Sequence, residues 1–211
     1  MSYKYLFFIL PILIISFKKE AVLANNIQKD TVKVVPLSSP EAIAFDSLVI
    51  KDKSKRIKEF YKNNLFKTVW TKDEDRKNLI ALIQSTEAEG LNPEDYNFNT
   101  LEKKEKVRLT LSEKEIVATD ILFTESFQRL ANHLYNGKVD PTQLYKDWDM
   151  YPKTLKAIDL LQEALRNHTV EETLDTLKPK HIVYKQLIKS LVKINSYPND
   201  NIGTIRVADK I

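Results

Sequence analysis

One stretch of the chain, residues 112–141, restricts the fold more than any other. Its apolar side chains recur at helical spacing and consist of Ile116, Phe123, Phe127, Leu130 and Leu134. This stripe predicts a long helix with one buried face, and Ser112 with Glu115 predicts a capping box at its start. Gly137 is expected to end the helix in a left-handed conformation, and Asp140 with Pro141 to turn the chain away. About 24 residues at 1.5 Å each give a helix long enough to contact every other element.

The rest of the chain predicts shorter helices. Glycine occurs only 3 times, strand-like alternation is absent, and Lys, Glu, Leu and Ile dominate, which favours helices. The expected segments are 54–64 with Ser54 as its cap, a helix capped by Thr71 or Asp73 that ends at Gly90, one turn at 93–96, and helices that begin at Thr154, Val170 and His181. The last of these is expected to bury Val183, Tyr184, Leu187, Leu191 and Val192. We therefore predict an all-α domain over residues 53–195, an irregular bundle of six to eight helices around one long central helix. Trp70 is expected to anchor its core.

The amino-terminal residues predict export. Lys4 precedes an apolar run of 13 residues, and Val22-Leu23-Ala24 resembles a cleavage site for small residues. We interpret residues 1–24 as a signal peptide cleaved after Ala24, or else as an uncleaved anchor and the only membrane-associated segment. Residues 25–52 are expected to form a flexible linker, and residues 196–211 a linker or truncated tail. The expected location is the periplasm or cell envelope.

Composition and motifs exclude several classes of function. The chain has no cysteine, so a thiol nucleophile and a cysteine zinc site are excluded. Residues 1–24 contain three lysines and one glutamate, which leaves only +2 of the total charge of +4 for the remainder. A nearly balanced exported chain is a poor candidate for nucleic-acid binding. None of the three histidines has another at metal-binding spacing, and no phosphate-binding loop occurs. We predict no catalytic residue, no metal and no cofactor.

A few single residues are candidates for a special role. Asp120 lies among apolar positions, so we expect it to be buried and hydrogen-bonded to a helix end or to the Trp148 loop. His133 is expected to interact with the dipole at the carboxyl end of the central helix if it is protonated. The segment 141–152 contains three large aromatic residues that either cover the core or form a surface for a sugar or a partner. These three are Tyr145, Trp148 and Tyr151.

Four blocks of residues, in order, resemble the helical scaffold domain of large murein L,D-transpeptidases. The first block contains Phe60, Tyr61, Asn64, Phe66 and Trp70. The second contains Leu79, Leu82, Ala88, Gly90, Leu91, Asn92, Pro93, Asp95 and Tyr96. The third contains Asp120, Phe123, Thr124, the run from His133 to Pro141, and Trp148. The last contains Leu160, Leu161, Ala164, Leu165, Leu174, Leu177, Pro179, His181, Tyr184 and Leu187.

The resemblance implies a scaffold that lies against a catalytic domain, in which a cysteine thiolate transfers a murein stem peptide. This sequence departs from that pattern, because it has no cysteine and no S-H-G-C type motif. The expectation is a non-catalytic scaffold associated with peptidoglycan cross-linking, either as an isolated protein or as a truncated product. Its expected partner is an L,D-transpeptidase catalytic domain or peptidoglycan. The alternative is a stand-alone exported module that binds peptidoglycan or acts like a chaperone, without an enzymatic partner.

Overall fold

A computed structural model of the chain describes residues 36, 37, 39, 41–139 and 153–197. Within these residues the fold contains seven α-helices and no strand, so the all-α prediction of six to eight helices is confirmed. The helices are α1 (Lys55–Asn63), α2 (Asp73–Ser85), α3 (Phe98–Lys106), α4 (Glu113–Asn136), α5 (Ala157–Asn167), α6 (Val170–Leu177) and α7 (Ile182–Asn195). Four short 3-10 helices connect them: Ser47–Ile50, Thr86–Glu89, Pro93–Tyr96 and Arg108–Thr110.

Helix α4 is the centre of the bundle, as the sequence predicted. It contacts α2, α3, α5 and α6, and its capping box between Ser112 and Glu115 is present. Val117 is buried, whereas Ile116 is only partly buried, so the apolar stripe begins one residue later than expected. Gly137 ends the helix with φ 83° and ψ 158°, so φ is positive but the backbone is not left-handed helical as expected.

The first two helices place Trp70 in the core. Ser54 caps α1, as predicted, by accepting a hydrogen bond from the backbone of Ile57. Trp70 is completely buried, and its ring lies 5.3 Å from that of Phe123, which confirms its role as an anchor. The cap of α2 was predicted wrongly: Lys72 precedes the helix without a side-chain cap, and Asp73 instead pairs with lysine and arginine one turn further on.

The segment just before α1 corrects the predicted linker. All of residues 25–52 were expected to form a flexible linker, yet Ile50 is buried and Ile43 and Phe45 pack against the core. The backbone N–H of Ile43 donates to the Thr68 hydroxyl at 2.9 Å, and the N–H of Phe45 donates to the Phe66 carbonyl at 2.9 Å. This part of the chain is ordered because its apolar side chains and backbone groups both find partners on the domain.

The start of α5 also differs from the prediction. Thr154 was expected to open the helix, but the first helical residue is Ala157. The Asn136 side chain accepts a hydrogen bond from the backbone N–H of Lys153 at 3.1 Å and donates one to its carbonyl at 3.0 Å. These two bonds tie Lys153 to the end of α4 and keep the backbone of this residue outside the helix.

The last helix corrects a prediction about burial. Val183, Leu187 and Val192 were expected to be buried, but all three are exposed, and no residue of α7 is fully buried. Apolar residues cover about half of the circumference of α7. Only the strip that includes Tyr184 and Leu191 faces the domain, so the other apolar side chains of the helix stay exposed.

None of the helices in the described part of the chain combines the length and hydrophobicity needed to cross a membrane. Residues 1–24, which were predicted to be a signal peptide, and the residues from 198 onward lie outside the described part of the chain.

Candidate functional site

Asp120 is buried near the middle of α4, where it binds the chain that connects α1 to α2. It is 1% exposed. Its carboxylate accepts hydrogen bonds from the Tyr61 hydroxyl at 2.7 Å, from the Val69 N–H at 3.0 Å and from the Trp70 N–H at 2.8 Å. The expected donors were a helix end or the Trp148 indole, so the partners differ from the prediction. Trp148 lies outside the described residues. With three donors directed at it, Asp120 has a structural role.

Thr124 completes the network one turn along α4. Its hydroxyl lies 2.8 Å from the Tyr61 hydroxyl and accepts the indole N–H of Trp70 at 3.0 Å. Every polar atom that Tyr61 and Trp70 bring into the core is therefore paired, which removes the cost of burying them. The network holds α1, α4 and the Val69–Trp70 segment together.

The protonation of Asp120 should be visible in the stability of the protein. Burial raises the pKa of Asp120 to about 6, although the hydrogen bonds from Tyr61, Trp70 and Val69 act in the opposite direction. The unfolded chain releases this proton near pH 3.9, so the folded state holds it more tightly. The stabilisation is fully present below about pH 4 and is lost as the pH rises through about 6.

We therefore expect the stability difference between the wild type and Asp120→Asn to shrink by about 2–3 kcal/mol from pH 4 to pH 7. Asparagine has the same size and does not titrate, so the other titrating groups cancel in the difference. Urea unfolding at a series of pH values measures the effect. Parallel pH profiles of the two proteins would contradict it.

His133, near the carboxyl end of α4, pairs with Tyr96. The Tyr96 hydroxyl lies 2.9 Å from His133 Nδ1, and the two rings meet edge to face with centroids 5.6 Å apart. Burial lowers the pKa of His133 and raises that of Tyr96 to about 12. The neutral imidazole is favoured, so His133 fixes the Pro93–Tyr96 turn against α4 rather than serving the helix dipole as a cation.

Five of the predicted site residues lie outside the described part of the chain: Asp140, Pro141, Tyr145, Trp148 and Tyr151. The aromatic surface therefore remains a prediction.

Phe127 is completely buried against Trp70, with ring centroids 6.4 Å apart. Lys138 pairs with Asp95 at 2.5 Å, which links the exit of α4 to the same turn that His133 holds.

One side of α7 is exposed, which was not predicted from the sequence. Val183, Leu187 and Ile194 share one flank of the helix, because positions separated by 4 and 11 residues lie close together around it. They are 50%, 62% and 64% exposed, respectively. The other outward flank presents lysines at every fourth position, and α7 contains no acidic residue. The three lysines are Lys185, Lys189 and Lys193. The regular lysine spacing was the signal that this half of the helix faces outward.

Polar contacts around Glu89 fix α7 to the domain. Tyr184 donates a hydrogen bond to Glu89, and Lys178 pairs with the same carboxylate at 2.7 Å. Burial favours a lower pKa for Lys178, but its hydrogen bonds to Asp175 and Glu89 outweigh this and raise it. Gly90 has a left-handed conformation, with φ 78°, next to the Leu191 side chain. The inner strip of α7 is therefore firmly seated, while its outward side has no cover among the described residues.

No group of three His, Asp or Glu side chains in the described ranges is placed to hold a metal ion. In comparisons with known proteins, a family model described as "Scaffold domain" matches residues 55–191. This match spans α1 to α7, ending four residues before the carboxyl end of α7. No curated protein and no solved structure matches the chain.

Proposed function

The chain belongs to the family of the scaffold domain of L,D-transpeptidase-like proteins, and we propose that it is a non-catalytic scaffold that docks on an L,D-transpeptidase catalytic domain. These 211 residues contain no cysteine. The thiolate that peptide transfer requires would therefore lie in a catalytic domain outside these 211 residues. The proposed setting is peptidoglycan cross-linking in the cell envelope, supported by the signal-like residues 1–24.

The exposed flank of α7 is the observation that carries this proposal. A helix of 14 residues with no fully buried side chain buries only part of its apolar surface against its own domain. An isolated helix of this length is only marginally stable in water, so most helices of this size depend on tertiary packing. Three large apolar side chains on one flank would lose their contact with water under a partner, which favours association.

The charges on α7 specify the partner surface further. The flank of Val183, Leu187 and Ile194 requires an apolar strip, and the lysine flank requires carboxylates beside it. We propose that the catalytic domain presents such a strip with an acidic border. The apolar contact would supply most of the affinity, while the charged border would set the orientation and the rate of association.

Leu187→Asp tests the docking. We expect the variant to bind the catalytic domain of an L,D-transpeptidase from the same organism at least tenfold more weakly than the wild type, since a carboxylate would be placed in an apolar interface. Biolayer interferometry measures the dissociation constant. Leu187 is exposed, so the melting temperature should stay unchanged.

Leu109→Asp is the matched control. Leu109 is fully exposed and belongs to the Arg108–Thr110 turn rather than to α7, so its replacement should leave the affinity unchanged. Equal binding by wild type and Leu187→Asp would overturn the proposal. So would binding of the chain to purified murein or to anionic lipid vesicles, with no binding to the catalytic domain.

A further inference from the structure

A cavity of about 360 Å³ lies between the start of α2 and the end of α5. Its volume falls in the range of small-molecule sites, about 300–1,000 Å³. The residues that line it and matter here are Thr71, Lys72, Asp75, Arg166 and His168. None of these five takes part in the Asp120 network or in the α7 surface, although Val69, which also lines the cavity, donates its backbone N–H to Asp120.

Asp75 is the unusual group in this cavity. It is only 2% exposed, and its Oδ2 lies 2.9 Å from His168 Nδ1. Its Oδ1 is buried and has no hydrogen-bond partner among the described residues. An unpaired buried acceptor costs about 1–3 kcal/mol, and such groups are rare in folded proteins. Burial also raises the pKa of the Asp75 carboxyl, although the hydrogen bond with His168 acts in the opposite direction.

The local structure keeps Asp75 in this position despite the cost. It occupies the first turn of α2, beside Arg76, whose guanidinium is engaged by Glu105 at 3.0 Å and by the Trp70 carbonyl at 2.9 Å. Arg76, the basic residue next to Asp75 in the sequence, therefore binds other groups. His168 ends α5 with φ 56°, and its ring reaches across to Asp75. A donor from outside the chain would satisfy the free oxygen.

The exposed side of the cavity carries basic side chains, whose charge is opposite to that of Asp75. Lys72 precedes α2, is exposed, and has no carboxylate within 4.0 Å among the described residues. Arg166 also lines the cavity, and it pairs with Glu163. A ligand with a cationic donor at its inner end and a carboxylate at its outer end would match both Asp75 and Lys72.

We propose that this cavity binds a zwitterion of amino-acid size, with its ammonium group on Asp75 Oδ1 and its carboxylate near Lys72. The ammonium would complete the hydrogen bonding of Asp75, whose other oxygen is already held by His168. A simple amine would satisfy only the inner group, and a simple carboxylate only the outer one. The inference is independent of the docking proposed for α7.

Three probes of similar size separate these contributions. Alanine carries both charges, ethylamine only the ammonium, and propionate only the carboxylate. We expect alanine to shift the backbone amide signals of Thr71, Lys72 and His168 in a ¹H–¹⁵N NMR titration, with a dissociation constant in the millimolar range. Ethylamine and propionate should bind at least tenfold more weakly, because each lacks one of the two contacts.

Two variants test the residues. Lys72→Ala should weaken alanine binding at least fivefold without affecting the fold, because Lys72 is exposed. Asp75→Asn should abolish binding, with a circular dichroism spectrum to show that it has folded. Lys77→Ala is the control: Lys77 lies on α2, pairs with Asp73 at 2.6 Å and does not line the cavity, so its loss should change nothing.

Three results would overturn the proposal. The first is no saturable shift with alanine at the highest soluble concentration. The second is ethylamine binding as tightly as alanine, which would make this a simple cation or water site. The third is unchanged affinity in Lys72→Ala. Since Lys72→Ala should remain folded, the outcome does not depend on the stability of Asp75→Asn.

Discussion

Asp120→Ala is expected to lower the free energy of unfolding at pH 7 by about 3–5 kcal/mol. The substitution removes the acceptor of three buried donors, the Tyr61 hydroxyl and the backbone N–H groups of Val69 and Trp70. Each stranded buried donor costs about 1–3 kcal/mol, and the three costs are only partly additive because the site relaxes. A domain with a total stability of about 5–15 kcal/mol would lose a large fraction of it.

Urea unfolding followed by circular dichroism measures this loss. The amides of Val69 and Trp70 should also exchange with solvent much faster, because their acceptor is gone, while the helix content stays the same. Glu125→Ala is the control on the same helix. Glu125 pairs with Lys53 near the surface at 2.9 Å, so its removal should cost no more than about 1 kcal/mol. Equal stability of Asp120→Ala and the wild type would contradict the structural role.

Phe127→Ala is expected to destabilise the domain by a similar amount, about 3–5 kcal/mol. Phe127 is completely buried in the middle of α4, and its ring packs on that of Trp70. The cost combines the lost transfer of the ring from water with the cavity that remains, because the surrounding helices close it only in part. The melting temperature and the urea midpoint should both fall.

Tyr135→Ala is the control for Phe127→Ala. Tyr135 lies on the same helix but is 41% exposed, so its truncation should cost less than about 1 kcal/mol. An unchanged midpoint for Phe127→Ala would mean that α4 presents a different face to the core. A large loss of stability in Tyr135→Ala would likewise mean that α4 presents a different face to the core.

The two substitutions test different parts of what could be predicted. The burial of Phe127 follows from the apolar spacing of α4, which any helix of this sequence would display. The burial of Asp120 was also predictable, since its neighbours on the same face are apolar. Its partners were not, because Tyr61 is 59 residues away in sequence and the other two donors are backbone groups. Backbone donors have no signature in the residue pattern.

Two errors have related physical causes. Val183 and Leu187 were assigned to the core because periodicity shows which residues share a face of a helix, but not what that face contacts. Conversely, residues 25–52 were expected to be a flexible linker from their composition, although Ile43, Phe45 and Ile50 within this stretch find partners on the folded domain. In both cases, residues that are distant in sequence determine whether the apolar side chains are buried.

The sequence by itself determined the local features: the capping box and the length of α4, the Ser54 cap of α1, the left-handed glycine at position 90, and the all-α class. These depend on interactions within a few residues, whose geometry is the same in any fold. Only the tertiary structure decided which donors meet Asp120, that Asp75 keeps an unpaired oxygen beside His168, and that one flank of α7 stays exposed. Those outcomes depend on how the helices pack, and packing is set by the whole chain at once.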